Sequence, residues 1–490
     1  MDKDRTTTEF DYDLIVLGSG PAGIACALQS SKFGKKVMIV EERVEKLGGT
    51  WIHTGTVPSK ALRQAAKTIH LFHSQYGDEQ GRRPFEKFRM EDLLRYKQSK
   101  LETKNKQVFE NLKKNEIHIV RGTGALKDAH QVIVSSPDGK KSTYSGENLL
   151  ISTGSRPKPF HGSYSDEVSL LDYESILNLT HIPRKLAIIG GGVNAFEYAA
   201  IFSSLGTRVS LLNEKDQYLP FLDNEIYEHL QRSNENRQIA IHNGVAIEDI
   251  RSNGLRNTTE VCFRTKSEDR LQVIETEHIL TFSGFTPNTK GIGLEGLGVR
   301  LDNKGFIKVD DRFKTEIPSI YAAGDVIGPP NLASVSFFQG RLTACNMFDQ
   351  PVSEVHNKIP YTIYTIPEIA AIGLTEKEAA EEGLDFTVGR AYYSNVTQAE
   401  INNFTEGILK LVFDTESLKL LGVHIFGDGA TELIHLGQSI MSFNGDIRYF
   451  TDNVLNYPSY TEAYRIAAFN GINRVHQAGV KYRKETTGGK

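Results

Sequence analysis

Two glycine triplets carry the chemistry that spacing alone can suggest. Residues 11–42 read DYDLIVLGSGPAGIACALQSSKFGKKVMIVEE, and residues 185–214 read KLAIIGGGVNAFEYAAIFSSLGTRVSLLNE. In the first stretch Gly18, Gly20 and Gly23 follow an apolar run and open a helical segment, and a second apolar run ends in Glu41. In the second, Gly190, Gly192 and Ala195 take those places, and the closing residue is Asn213. Glu41 follows Gly18 by the same interval that separates Asn213 from Gly190, so the two units share one internal register. A strand that turns on glycine into a helix leaves unbonded N–H groups, and the positive end of the helix, facing one point where a diphosphate can sit. The first glycine permits the tight turn, the second lets the backbone approach the diphosphate, and the third lets helix pack on strand. A carboxylate at Glu41 can accept hydrogen bonds from an adenosine ribose. Two such units imply two dinucleotides, and FAD with a nicotinamide nucleotide is the pair that can exchange a hydride.

Two more stretches fit that pair. LLISTGSRPKPF places Thr153-Gly154-Ser155 after an apolar strand, where the chain could leave a first domain. SIYAAGDVIGPPNLASVSFFQGRLTACNMF reads as a strand, then Gly324-Asp325, then a helix. Asp325 at that strand end could bond the polyol and phosphates of a flavin nucleotide, although Gly-Asp at a turn is also an ordinary structural pair.

The elements that must position these residues alternate strand and helix, which predicts an α/β class. At 490 residues the chain is too long for one ordinary core. Its hydrophobic share of 39% and charged share of 24% are those of a soluble globular protein. A net charge of −4 gives no electrostatic case for nucleic acid or an anionic membrane as partner. No apolar run approaches the roughly 20 residues of a membrane span, and the polar start MDKDRTTTEF lacks a signal core. Cys26, Cys262 and Cys345 are far apart, have neither redox nor metal spacing, and lie in apolar segments where they read as small buried hydrophobes. No metal is expected, and the expected compartment is cytoplasmic.

In order and spacing the pieces resemble the pyridine nucleotide–disulfide oxidoreductases, the family of glutathione reductase and lipoamide dehydrogenase, over residues 11–475. Within that family GTVPSKALR, PFLDNEI, YAAGDVIGPPNLASVSFFQGR, YTIPEIAAIGLTE, KLLGVHIFGDGATELIHLGQ and NYPSYTEAYRIAAFNGINR are similar to stretches of the soluble, Si-specific NAD(P)+ transhydrogenases. The resemblance implies two Rossmann-like domains, one binding FAD (11–155 with 286–353) and one binding NAD(P) (156–285). It also implies a C-terminal α+β dimerisation domain (354–475), polar tails at 1–10 and 476–490, and a homodimer in which that last domain completes the partner's flavin site. To the flavin site it assigns Gly49, Thr50, Thr56, Lys60, Ala125, Thr153, Gly154, Asp325 and Ala333, beside the first three glycines and Glu41. To the NAD(P) site it assigns Gly190, Gly192, Glu197, Asn213, Glu214, Lys215 and Gly284.

One loop departs from the family. Where the disulfide reductases carry a C-x4-C pair against the flavin, GGTWIHTGTVPSK has Trp51 and Thr56. A dithiol relay needs two sulfurs that exchange, so reduction of glutathione, lipoamide or mercuric ion by that route is excluded. The family's catalytic histidine aligns with Tyr457, and its carboxylate partner is kept as Glu462. Soluble transhydrogenases also carry Tyr and Thr at the places of Tyr457 and Thr56 but commonly keep the first cysteine, so Trp51 differs even from them. Its indole either stacks near the flavin ring and seals that face or simply fills volume. The resemblance puts Lys60 near flavin N5 and pairs it with Glu197, and a buried lysine without such a partner would cost several kcal/mol or lose its proton.

Nucleotide choice should be decided in SLLNEKD. Asn213 stands where NAD-specific relatives have an acid, and Glu214 where NADP-specific relatives have arginine. Asn213 could bond a hydroxyl or tolerate a phosphate, Glu214 repels a 2′-phosphate and Lys215 attracts one. At exposed positions such terms are only about 0.2–1 kcal/mol. NAD(H) is therefore expected, and NADP(H) is left open. Phe285 replaces an arginine usual in the family. The preferred reading is hydride exchange between NAD(H) and NADP(H) through FAD. An NAD(P)H oxidase or diaphorase is the second, and a flavin- and nucleotide-binding sensor with little turnover the third.

Overall fold

The computed structural model describes residues 10–76, 89–165, 168–254, 258–266, 268–352 and 359–487. The apolar run around Leu14–Leu17 forms the strand Tyr12–Leu17, buried from Leu14 onward, in a seven-stranded sheet. It pairs in parallel with Val37–Glu41 on one side and Lys141–Ile151 on the other, with Leu17 level with Val40 and Ile151. His118–Arg121 extends the parallel side, and Gln131–Ser135 and Thr123–Leu126 add antiparallel strands. Ile320–Ala322 returns from far along the chain to lie parallel to Lys141–Ile151. Strands covered on both faces read as unbroken apolar runs, as Leu14 to Leu17 and Val37 to Val40 do.

The second fingerprint lies in a separate, wholly parallel sheet of five strands: Ile239–Asn243, Arg208–Asn213, Lys185–Ile189, His278–Thr281 and Leu170–Leu171. An antiparallel meander over Val245–Asn253, Thr258–Thr265 and Glu268–Thr276 is appended to it. Ser155–Pro157, leaving the first sheet, and Phe285–Pro287, returning from the second, pair antiparallel with each other. The third sheet is antiparallel, in the order Tyr361–Ile363, Glu368–Gly373, Leu420–Gly427, Ile408–Asp414 and Phe386–Tyr392. Helices Ala430–Ser442 and Glu462–Thr487 pack on it. The last helix continues to Thr487, where a polar tail was expected from 476. Residues 1–9, most of the expected N-terminal tail, and residues 488–490 lie outside the described residues.

The units are not beads on a string. One hydrophobic cluster takes Leu62 and Ala66 from the helix Thr56–Tyr76, Phe196 and Phe202 from the helix Val193–Ser204, and Ile363, Ile369 and Phe426 from the third sheet. A buried ionic cluster adds direction to that contact. Lys410, on a strand of the third sheet, is fully buried, and its Nζ lies 2.8 Å from Asp223, 2.9 Å from Glu225 and 3.0 Å from Glu376. Arg390 donates to Glu225 and Glu376, each at 2.8 Å. Asp223 is also the N-cap of the helix Asn224–Asn236, accepting from the Glu225 amide. Burial pushes the Asp223 carboxyl up, but the neighbouring His424, Lys410 and the Glu225 amide outweigh it and hold the group below its ordinary value.

A buried ion set of this kind is held by mutual satisfaction, and removing one partner strands the others. Lys410→Met is expected to cost about 3–5 kcal/mol by leaving Asp223 buried without its cation, read as a lower urea midpoint. Lys410→Met with Asp223→Asn, which removes the stranded charge but keeps the helix cap, should recover much of that loss. A single variant as stable as the parent would show that the cluster does not hold the second and third units together.

Candidate functional site

The first glycine turn is shaped by contact with its neighbours. Gly18 has φ +96°, and a Cβ there would stand 2.6 Å from the Ser152 carbonyl oxygen. Gly20 is the N-cap of the helix Pro21–Lys32, and Pro21 at its first position removes an N–H that no helix bond would use. Gly23 packs so closely that a Cβ would reach 2.2 Å from the Gly18 oxygen. Such a cradle leaves backbone N–H groups free to meet a diphosphate. Glu41, at the end of the next strand, is already engaged by the chain itself. Its Oε2 accepts from the Ser19 N–H at 2.9 Å and the Ser19 hydroxyl at 2.6 Å, and its Oε1 accepts from the Arg43 amide at 3.0 Å. The carboxylate is thus fixed against the turn, with lone pairs left for a ribose hydroxyl.

The loop after Glu41 folds onto the same turn. A Cβ at Gly49 would lie 3.4 Å from the Gly20 Cα, and Gly49 caps the short helix Thr50–His53. The Thr50 carbonyl closes this turn by accepting from the Thr54 and Gly55 amides, and Thr56 opens the long helix that carries Lys60. Trp51 is half-buried, edge-on to Phe337 with ring centroids 5.2 Å apart, and Lys104 Nζ sits 5.5 Å from its ring centre. Its indole Nε1 is buried and has no hydrogen-bond partner among the described residues.

Thr153 and Gly154 follow the strand Lys141–Ile151, and Asp325 follows the strand Ile320–Ala322 beside it. Thr153 and Gly154 are braced by Asn288, which accepts the Thr153 hydroxyl on its carbonyl and donates its side-chain amide to the Thr153 carbonyl. The Asn288 amide N–H donates to the Gly154 carbonyl. Asp325 accepts from the Ser155 hydroxyl at 3.1 Å and the Ser336 hydroxyl at 3.5 Å. Burial pushes its carboxyl up, and these two hydroxyls only partly oppose the shift, so the group would gain from further donors such as polyol hydroxyls. Ala333 is the first residue of the helix Ala333–Met347, and Ala125 lies on the strand Thr123–Leu126. The glycine turn, its acid and this strand-end cluster fit a flavin dinucleotide.

The two cradles are joined through one carboxylate. Glu197, on the helix that follows Gly192, is 4% exposed. Its Oε2 accepts from Lys60 Nζ at 2.7 Å, and its Oε1 accepts from the Tyr364 amide at 2.9 Å. Lys60 Nζ also lies 4.6 Å from the centre of the Tyr364 ring, within cation–π range. In the second unit Gly190 has φ +134°, and Gly284 faces open space where a Cβ would stand. Asn213 is buried, whereas Glu214 and Lys215 are exposed. Tyr457 and Glu462 are not brought to Lys60 by hydrogen bonds. Tyr457 is 64% exposed with its hydroxyl 2.9 Å from Thr397, and Glu462 lies 3.5 Å from Arg465.

Ser19, Asn288, Ser336 and Tyr364 take part in this site although the sequence did not single them out. Ser19 lies inside the first glycine motif and could have been found there. Asn288 and Tyr364 act across long chain separations, whereas Ser336 lies 11 residues from Asp325 on the helix that follows it.

A family model described as pyridine nucleotide-disulphide oxidoreductase matches residues 12–340, and the dimerisation-domain model of the same family matches residues 359–468. The soluble pyridine nucleotide transhydrogenase of Pseudomonas aeruginosa (strain LESB58) is 38% identical over 472 residues, 95% of this chain and 99% of the relative. That of Pseudomonas syringae pv. tomato is 38% identical over 475 residues, with the same coverage. Among solved structures, the HOCl-induced flavoprotein disulfide reductase RclA of Escherichia coli superposes with a TM-score of 0.83 at 22% identity, covering 93% of this chain and 99% of its own. LpdA of Mycobacterium tuberculosis gives 0.84 at 22%, covering 93% and 98%. These last two likenesses speak to the fold.

Trp51 is the chain's one tryptophan, and so a built-in probe of the loop. With its N–H shielded from water, its emission in FAD-stripped protein should be blue-shifted, and titration with FAD should quench it. A solvent-like emission maximum that FAD does not alter would remove Trp51 from the site.

Proposed function

The chain belongs to the pyridine nucleotide-disulphide oxidoreductases, and from that premise we propose that it moves hydride between NAD(H) and NADP(H) with no redox disulfide. Its cofactor is FAD, its substrates are nicotinamide nucleotides, and it works as a homodimer. The observation that carries the proposal is where the sulfur lies. Trp51 and Thr56 flank the loop on the first glycine turn, while Cys26, Cys262 and Cys345 are unpaired and buried in other elements. Burial pushes the Cys26 thiol up to about 12, far from a reactive thiolate.

When bound, FAD supplies a ring that takes a hydride equivalent from a reduced nicotinamide and returns it to an oxidised one. Everything else in the proposal belongs to the chain's own residues. The first glycine turn, Glu41, Thr153, Gly154 and Asp325 would hold the dinucleotide. Lys60, fixed by Glu197 and the Tyr364 ring, would set a cation beside developing negative charge, which a preorganised site stabilises more than water does. Gly190, Gly192 and Gly284 would seat the nicotinamide nucleotide, with Glu197 anchoring the helix behind it. Trp51 against Phe337 would close the face through which relatives pass electrons to sulfur. Tyr457, exposed on one copy, and Glu462 would serve the partner's site. Free cysteines are in keeping with a reducing, cytoplasmic setting.

Under argon, the yellow holoenzyme mixed with NADH and thio-NADP+ should develop the absorbance band of reduced thionicotinamide at a rate proportional to enzyme. NADH oxidation that begins only when air, a quinone or a dye is admitted would overturn transhydrogenation in favour of a diaphorase.

A further inference from the structure

Each fingerprint ends on a residue that reaches back to its own glycine turn, and the two do so with different charge. In the first unit Glu41 is bonded to both the N–H and the hydroxyl of Ser19, the residue between the first two glycines. In the second unit that place is Gly191, and Asn213 stands where Glu41 does. A Cβ at Gly191 would lie 2.2 Å from Asn213 Oδ1. The amide oxygen therefore occupies the space that the Ser19 side chain fills in the first unit.

Asn213 is 2% exposed, and its amide is fully committed. Nδ2 donates to the Lys215 carbonyl and to Asn243 Oδ1, each at 2.9 Å, and Oδ1 accepts from the Lys215 amide at 3.2 Å. Asn243 is directly level with Asn213 on the neighbouring parallel strand, and the Gly244 amide makes a further bond to the Lys215 carbonyl at 2.9 Å. The Asn213 amide cannot be turned over, because Oδ1 would then face the Lys215 carbonyl and Nδ2 the Lys215 N–H. The strand end is also electrically balanced. Glu214 and Lys215 are exposed and of opposite sign, and Asp216 is paired with Lys266 at 2.7 Å.

Rossmann units present this strand end to the adenosine ribose, where a carboxylate accepts from the hydroxyls and repels a 2′-phosphate. A knot of neutral amides does not repel it. We propose that Asn243, by offering a neutral acceptor to the Asn213 amide beside Gly191, is a specificity-determining residue that lets one adenosine site take both the plain and the 2′-phosphorylated ribose. The proposal rests on the dual nucleotide use argued above and assigns it to a positioning residue outside the glycine motif and outside the loop that follows Asn213.

The test uses the FAD-loaded dimer and two probes that carry no nicotinamide, 5′-AMP and adenosine 2′,5′-bisphosphate, with affinities from titration calorimetry. The parent protein should bind both within about tenfold of one another. Asn243→Asp keeps the shape and the acceptor for Asn213 Nδ2 but adds a charge. It should weaken the bisphosphate by about tenfold and leave 5′-AMP within about twofold. A purely structural role would weaken both probes together, so an unchanged ratio overturns the proposal, as does a parent protein that rejects the bisphosphate. Thermal melting checks that the variant folds. If it does not, Asn213→Asp places the same charge one strand away and must move the ratio in the same direction. A protein that binds both probes yet moves no hydride would overturn the proposed activity and leave this inference standing.

Discussion

Glu197 is the constraint on which the arrangement depends. It sits on the helix of the second glycine turn, yet its two oxygens are bonded to Lys60 of the first unit and to the backbone of Tyr364 in the third. A carboxylate this deeply buried must have partners or lose its charge. Both partners come from outside its own unit, so the second cradle cannot swing away without leaving it unsatisfied. Lys60 completes the closure by lying over the Tyr364 ring. The apolar cluster shared by the three units gives this junction area but little direction, because burial is non-directional. Hydrogen bonds from a cation and an amide provide the direction. The Lys410 cluster does the same at a second place, tying the helix capped by Asp223 to the third sheet.

Seen this way, the two fingerprints are one device used twice with one change. Both turn a buried strand into a helix on glycine, and both return a polar side chain from the next strand to the turn. The first returns a charge and meets it with Ser19. The second returns a neutral amide and makes room for it with Gly191. The proposed cofactor stays bound whereas the nucleotides must come and go in two forms, and the difference in charge is in keeping with that division of labour.

What the sequence made legible follows from what backbone geometry demands locally. Gly18 and Gly23 were readable because the turn and the close packing forbid side chains there, and Gly20 completes the spacing between them. Glu41 and Asn213 were readable as ends of the second strand in each unit. The Lys60–Glu197 pair, 137 residues apart, came only from family resemblance, because nothing local to either residue announces the other. Asn288, Tyr364 and Asn243 were not legible, since each acts through a neighbour that only the folded sheets bring near. The pairing of Ser155–Pro157 with Phe285–Pro287 is of the same kind. Trp51 was legible as a departure from the family pattern, but its edge-on contact with Phe337 was not. The expected tail from 476 was misleading because a polar composition does not by itself end a helix.

On the proposed function electrons pass between the dinucleotides alone, with no sulfur to hold a second pair. Anaerobic titration of the holoenzyme with dithionite tests it directly by counting electrons. The visible flavin band should bleach completely at two electrons per FAD, with no further uptake and no new thiols. Uptake of four electrons per FAD, accompanied by a rise in titratable thiol, would contradict it.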